Sequence, residues 1–284
     1  MQEAQHFKRH LERLGYSKNM ILQLPVHIKD FIQFTAKPLD TVTSKDIVNF
    51  YHHLKERPNK RRTGGLSENY INHHIYALKL FFGWQQEKGV VIENPMSSLD
   101  FAAPTSQPRA VLTLEEIKTL YQVSETLKEK AVLSIFYGCG LRRSEGENLN
   151  LKDVHFRSGL LYVRDGKGNK RRVVPLNNRI VNDLKNYAHK ERFAKQNETA
   201  FICNRLGTRT TGSSYNKILK TLLERTTIKK AITLHCLRHS IATHLLESGL
   251  SVEYVRDFLG HQHLESTQIY TRVKNKQLWN LQHT

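Results

Sequence analysis

Three prolines in the stretch NPMSSLDFAAPTSQPRA, residues 94–110, set the strongest limit on how this chain can fold. A proline has no backbone N–H and biases the residue before it away from the helical region. With Ser, Thr and Ala between them, Pro95, Pro104 and Pro108 make an extended connector that no helix runs through. Helical patterning ends there and a mixed pattern begins after it. We therefore expect a helical domain over 1–103 and a larger mixed domain over 109–284. The expected fold class is mainly α with one small β-sheet.

Before the connector, VHIKDFIQF, DIVNFYHHL and YINHHIYALKLFFGWQQ each space apolar residues three and four apart, the period of a helix with one buried face. Thr43 with Asp46 has the form of a capping box, and Ser67 stands where the last of these helices needs an N-cap. Between the second and third of these patterns lies KERPNKRRTGG, a basic loop that closes on two glycines. As a solvated turn it needs no further role. As a phosphate-contacting loop it would use Lys55, Arg57, Lys60, Arg61 and Arg62.

After the connector, Thr113 and Glu116 open a new capping box. KEKAVLSIFYGCG reads as a helix stopped by Gly138 and Gly140, and LRRSEGENLNLKDV as a short helix that Ser144 and Glu147 could cap. LLYVRD and RRVVPL are short β-branched runs on either side of DGKGNK, whose Asp-Gly and Gly-Asn pairs are turn dipeptides. This is a β-hairpin with a basic tip. From about residue 212 onward the helical spacing returns.

Charge bears on partners. Lys and Arg number 44 against 26 Asp and Glu, a formal net charge of +18, which favours a polyanionic partner. No run of about 18 apolar residues is present, so a membrane span is not expected and a cytoplasmic location is the default reading. Cys139, Cys203 and Cys236 are odd in number and widely spaced, which speaks against both a disulfide framework and a zinc knuckle.

Several motifs could carry chemistry. Arg142 follows a glycine stop at the start of a short helix, where backbone N–H groups also favour anions, and Arg143 fits the same role on spacing alone. In GKGNK, residues 166–170, the glycines lead into a strand and no Ser or Thr follows a lysine, so a nucleotide cradle is rejected. His235 and His239 are four apart, as in a helical zinc site, yet the position after the first His is Cys236 where a metallopeptidase needs Glu. His235 and Arg238, three apart, share one helix face and suit an anion. Leu259 and Gly260 look like a helix end with His261 at its exit, and Tyr270 follows in a short helical segment.

Taken in order, GLR at 140–142, GKGNK at 166–170, HCLRH at 235–239, LGH at 259–261 and IYT at 269–271 resemble the tyrosine recombinase, or phage integrase, family. LRHSIATHLLESG and LGHQHLESTQIYT are especially close to the family pattern. SENYINHHIYALKLFFGWQQEKGVVIENP resembles the last helices of the family's core-binding domain, so the likeness spans nearly the whole chain.

The resemblance implies a site-specific recombinase that cuts and rejoins DNA through a 3′-phosphotyrosyl intermediate and a Holliday junction. Tyr270 would be the nucleophile, because an aryl oxide both attacks phosphorus and leaves again. Arg142 and Arg238 would clamp the non-bridging oxygens, with His235 and His261 hydrogen-bonding the same phosphoryl group. Lys167 would protonate the departing 5′-oxygen. Glu145 would support the first arginine, and Lys170 and Arg171 would add DNA contacts on the hairpin. No metal, cofactor or small-molecule substrate is implied, since two arginines supply the charge clamp.

The implied partners are double-stranded DNA with inverted-repeat core sites and three further copies of the chain, a homotetramer on DNA. The tail 272–284 would dock in a neighbouring protomer; packing on its own domain is the alternative. The expected role is resolution of cointegrates or dimers of a mobile element, plasmid or chromosome. An integrase or excisionase of a mobile element, or a DNA-relaxing enzyme of the type IB topoisomerase kind, are the alternatives.

Overall fold

The fold is taken from a computed structural model, which describes residues 2–59, 63–102, 110–164 and 171–260. The chain divides into two compact units, Met1–Gln107 and Pro108–Thr284.

Among the described residues the first unit has four α-helices: α1 (Gln2–Arg13), α2 (Lys18–Thr35), α3 (Ser44–Glu56) and α4 (Glu68–Glu87). Their starts are set by local chemistry. Ser17 accepts from the Met20 amide, Ser67 from the Tyr70 amide, and the Thr43 amide donates to Asp46 at 2.9 Å. Phe7, Phe31, Phe50, Phe81 and Phe82 are wholly buried at the centre. Phe31 meets Phe50 and Phe82 edge-on, at 5.2 and 5.8 Å between ring centres, the arrangement that aromatic quadrupoles favour. Beside them, His27 of α2 and His74 of α4 pack ring against ring at 4.0 Å, both almost fully buried. Arg57, at the end of α3, is tied to Asp30 of α2 by two contacts of 3.0 and 2.9 Å.

The second unit opens with α5 (Leu114–Gln122), capped as expected by Thr113 and Glu116. Next, α6 (Leu127–Leu133) runs directly into a π-helical turn, Ser134–Gly138. Gly140 then reverses the chain at φ +58°, a left-handed conformation that favours glycine. The short helix α7 (Arg143–Asn148) follows. Its start corrects the capping expectation: the Arg142 amide donates to Glu145 at 2.7 Å, so the helix begins one residue before Ser144 and the acceptor is Glu145, not Glu147.

Among the described residues, three short strands form one antiparallel sheet in the order β1 (Val154–His155), β2 (Leu160–Val163), β3 (Arg172–Pro175). The hairpin pair expected from the turn dipeptides is β2 with β3, register Leu161↔Val174 and Val163↔Arg172; β1 adds a strand that had no periodic signal. Leu161, Val163 and Val174 enter the core of the unit. The tip of the hairpin, with Lys167 and Lys170, lies outside the described residues.

Helices α8 (Asn178–Asn186), α9 (Gly212–Glu224), α10 (Leu234–Glu247) and α11 (Val252–Leu259) follow. In α10 ten of fourteen residues are buried, among them Leu237, Arg238, Ile241 and His244. The buried His244 meets Tyr137 of the π-turn, Nδ1 to hydroxyl, at 3.0 Å. Helix α11 ends at Gly260 with φ +66°, the αL stop that the Leu-Gly pair indicates. All three cysteines are buried and free. Among the described residues no helix is long and apolar enough to cross a membrane.

Candidate active site

Four charged side chains from three separate stretches of the sequence meet where α7, β3, α10 and α11 converge. Glu145 of α7 is at the centre and its side chain is 0% exposed. Arg142 donates to Oε1 through Nη1 at 2.7 Å and to Oε2 through its backbone amide, also at 2.7 Å. Arg172 of β3 lies across the same carboxylate in a two-pronged pair, Nη1 to Oε1 and Nη2 to Oε2, both 2.8 Å. Arg238 of α10 brings Nη1 to 3.8 Å from Oε2, an ion-pair distance outside hydrogen-bond range.

The three arginines also share a second acceptor, the last turn of α11. Arg172 Nε donates to the carbonyl of Phe258 at 3.0 Å, Arg238 Nη2 to that of Leu259 at 2.6 Å, and Arg142 Nη2 to that of Gly260 at 2.8 Å. Three consecutive carbonyls each take a different guanidinium. These carbonyls have no intrahelical partner and carry the negative end of the helix dipole, so cations belong there. Arg238 also donates to the carbonyl of Gly140, in the turn that leads to Arg142. The turn is tight: a Cβ on Gly140 would stand 2.9 Å from Leu259.

Burial alone would raise the carboxyl of Glu145. The Arg172 hydrogen bonds and charge, the Arg142 amide and the charge of Arg238 outweigh it and hold its pKa down at about 2. Glu145 is therefore ionised at neutral pH, and three guanidiniums against one carboxylate leave a positive excess. Two planar forks beside each other suit a tetrahedral or trigonal phosphoryl group, which they can grip through paired N–H donors.

Of the residues expected from sequence, Arg142, Glu145 and Arg238 are brought together here. His235 lies on the first turn of α10, exposed, three positions before Arg238. Lys167, His261 and Tyr270 lie outside the described residues, as do Lys60, Arg61, Arg62 and Lys170 and the tail 272–284. Since α11 ends at Gly260, the chain leaves this cluster directly into His261. Arg171 is exposed, Lys55 lies over the ring of Tyr51 at 4.9 Å, and Arg57 is engaged by Asp30. Among the described residues no group of three or more His, Cys, Asp or Glu is arranged to hold a metal ion.

Arg172 was not singled out from sequence, where it stands among four basic residues of the run NKRR and its flank. A signal was present. Strand alternation puts Arg172 on the same face as the buried Val174 and leaves Arg171 and Val173 outward. A charged residue on an inward face needs a buried partner.

Comparison with known proteins agrees with the motifs. The phage integrase family model matches residues 110–277. Tyrosine recombinase XerA of Pyrococcus horikoshii is 32% identical over 279 residues, covering 96% of this chain and 90% of that protein. Tyrosine recombinase XerD of Halalkalibacterium halodurans is 30% identical over 286 residues, covering 96% and 92%. Among solved structures, the Tn1549 transposon integrase in complex with transposon right end DNA matches with a TM-score of 0.78 at 18% identity, over 98% of this chain and 97% of that one, a likeness of fold. The chain belongs to the phage integrase family, the tyrosine recombinases, enzymes that cut and rejoin DNA.

Proposed function

We propose that this recombinase cuts DNA with Tyr270 and forms a 3′-phosphotyrosyl bond, which a 5′-hydroxyl of the partner duplex then attacks. The bond to the protein conserves the energy of the phosphodiester, so rejoining needs no nucleotide cofactor. Arg142 and Arg238 grip the non-bridging oxygens as charge builds on them. His235 and His261 hydrogen-bond the same group, and Lys167 protonates the leaving 5′-oxygen. Glu145 holds the arginines in place and takes no part in proton transfer.

The observation that supports this most is the convergence of Arg142 and Arg238 on the last turn of α11, one residue before His261. Several solved structures of this fold are DNA complexes, among them a lambda integrase dimer bound to a core site and the XerH site-specific recombinase bound to its difH substrate. By extension the substrate of this chain is double-stranded DNA with two inverted core repeats, and four copies assemble on it to recombine two duplexes. The role we infer is resolution of cointegrates or dimers. The net charge of +18 suits many phosphate contacts and predicts binding that weakens steeply with salt.

The test is adduct trapping. Wild-type protein and Tyr270→Phe are incubated with fragmented host and flanking DNA, and the complexes that survive denaturing detergent are sequenced. Adducts confined to wild type and enriched for one inverted repeat are expected. Adducts spread over unrelated sequences would replace the reading with topoisomerase-like relaxation, and no wild-type adduct at all would overturn it.

A further inference from the structure

We propose that Arg172 is a positioning residue for the phosphate clamp: it fills the acceptor sites of Glu145 and so keeps that carboxylate from capturing Arg238. The proposal rests on the recombinase reading, in which Arg142 and Arg238 grip the phosphate.

A carboxylate offers about four lone-pair sites. At Glu145 all of them are taken. Oε1 receives Arg142 Nη1 and Arg172 Nη1; Oε2 receives the Arg142 amide and Arg172 Nη2. Arg238 is left at 3.8 Å from Oε2, close enough to be attracted and outside hydrogen-bond range of the carboxylate. Its guanidinium is directed instead to the carbonyls of Gly140 and Leu259. Arg172 thus decides which arginines Glu145 can claim.

The location of Arg172 gives this arrangement its reach. It stands at the first position of β3, five residues after Lys167 on the hairpin that carries the proposed general acid. Its Nε holds the Phe258 carbonyl, and its Cδ would lie 3.0 Å from a Cβ on Gly260. One side chain joins the strand that follows the general acid, the carboxylate that supports the first arginine, and the turn that leads to His261. At 9% exposure it has little contact with solvent. A lysine cannot reproduce the role, because its single ammonium lacks the planar fork that meets both carboxylate oxygens at once.

Without Arg172, Oε2 keeps only the Arg142 amide, and Glu145 draws Arg238 in to replace the lost partner. The clamp would then close on the carboxylate and not on the phosphate. DNA affinity, carried by many other contacts, would change little. The rate of the cleavage step would fall.

The experiment uses the full chain and the inverted-repeat DNA recovered by adduct trapping. Folding by thermal melting, DNA affinity, and the single-turnover rate of adduct formation at saturating protein are measured for wild type, Arg172→Ala, Arg172→Lys, Glu145→Gln and the double variant Arg172→Lys with Glu145→Gln. Arg172→Lys keeps the charge and serves if the alanine variant does not fold. The expected result is a folded Arg172→Lys whose affinity stays within about twofold of wild type and whose rate falls about 10- to 100-fold, as when a group that orients a reacting one is lost. In the Glu145→Gln background the same substitution should add less than about threefold, because its effect runs through Glu145. A wild-type rate in Arg172→Lys, or losses that multiply in the double variant, would overturn the positioning role alone. A wild type that forms no adduct overturns the recombinase reading, and this role with it.

Discussion

The guanidinium of Arg142 donates to the carbonyl of Gly260 at 2.8 Å, joining residues 118 positions apart in the chain. Gly260 can offer that carbonyl because it turns the chain at φ +66°, where L-residues with a Cβ are strained. It is also crowded, with Arg172 Cδ at 3.0 Å and Nη1 at 3.2 Å from where a Cβ would stand. Gly249 offers the control. It has φ +87° and open space where its Cβ would be. Both alanine substitutions should cost about 1–2 kcal/mol in urea denaturation through backbone strain. Only Gly260→Ala should also slow adduct formation, because only there does the new methyl press on the arginine cluster. Equal rates for the two variants would separate the α11 turn from the chemistry.

Glu145 makes stability depend on acid. Its pKa is held at about 2, below the ordinary 4.5, so its contribution is complete above pH 4.5 and is lost as the pH falls from there through about 2. A depression of that size corresponds to roughly 3 kcal/mol between the two limits. Glu145→Gln should remove this segment of the pH profile. It should also leave the protein less stable at neutral pH by about 3–5 kcal/mol, since three guanidiniums then share a buried site with no counter-charge. Urea denaturation from about pH 6 to about pH 2.5 measures both effects.

What could be read from sequence depended on range. The caps at Thr43, Ser67 and Thr113 are made by residues three positions apart, so their signals are complete within one turn. At α7 the same reasoning chose Ser144, a good cap by residue type, but Arg142 takes the cap position because Glu145 is drawn to its amide and to Arg172 of a distant strand. The π-turn at Ser134–Gly138 left no trace in apolar spacing, nor did the two-residue β1. Motif order named Arg142, Glu145 and Arg238. It could not show that the backbone carbonyls of Phe258, Leu259 and Gly260 hold the arginines, because any residue supplies a carbonyl.

A second pH response belongs to the first unit. Burial, with mutual repulsion among the histidines, lowers His27 to about 4 and His74 to about 3 from the ordinary 6.5. Among the described residues, His27 Nδ1 and both ring nitrogens of His74 have no hydrogen-bond partner. A histidine whose folded pKa is lowered binds its proton in the unfolded state first. Stability is therefore complete above pH 6.5 and is lost as the pH falls from 6.5 toward 4 and below. Between about pH 7 and pH 5 each histidine should cost about 2 kcal/mol. His74→Phe, which keeps an aromatic ring among Tyr70, Phe50 and His27, should flatten that loss by about one histidine's share. Hydrogen exchange of the α2 and α4 amides at the two pH values reports it, and an unchanged acid response in the variant would remove the pair as its source.

The position of α7, and with it Arg142 and Glu145, depends on a missing side chain. Gly146 lies against Phe136 of the π-turn so closely that a Cβ would stand 2.6 Å from Cζ and 2.8 Å from Cε1. Phe136 is itself wholly buried and meets Tyr215 edge-on at 5.0 Å between ring centres, so it has no room to retreat. Tyr215 in turn donates to the Gly146 carbonyl at 3.2 Å. Gly146→Ala should therefore overpack the site at a cost of about 1–3 kcal/mol. Part of the strain should displace α7 away from Phe136 and slow adduct formation. Phe136→Leu alone opens space and should also destabilise the unit, by about 1 kcal/mol or more, as a smaller side chain in a close-packed core does. Combined with Gly146→Ala it should recover both rate and stability relative to the glycine variant, since the added methyl then occupies space the ring has left. Denaturation and single-turnover cleavage of the two single variants and the double variant close this cycle. If the losses add, the packing of Gly146 on Phe136 does not position α7.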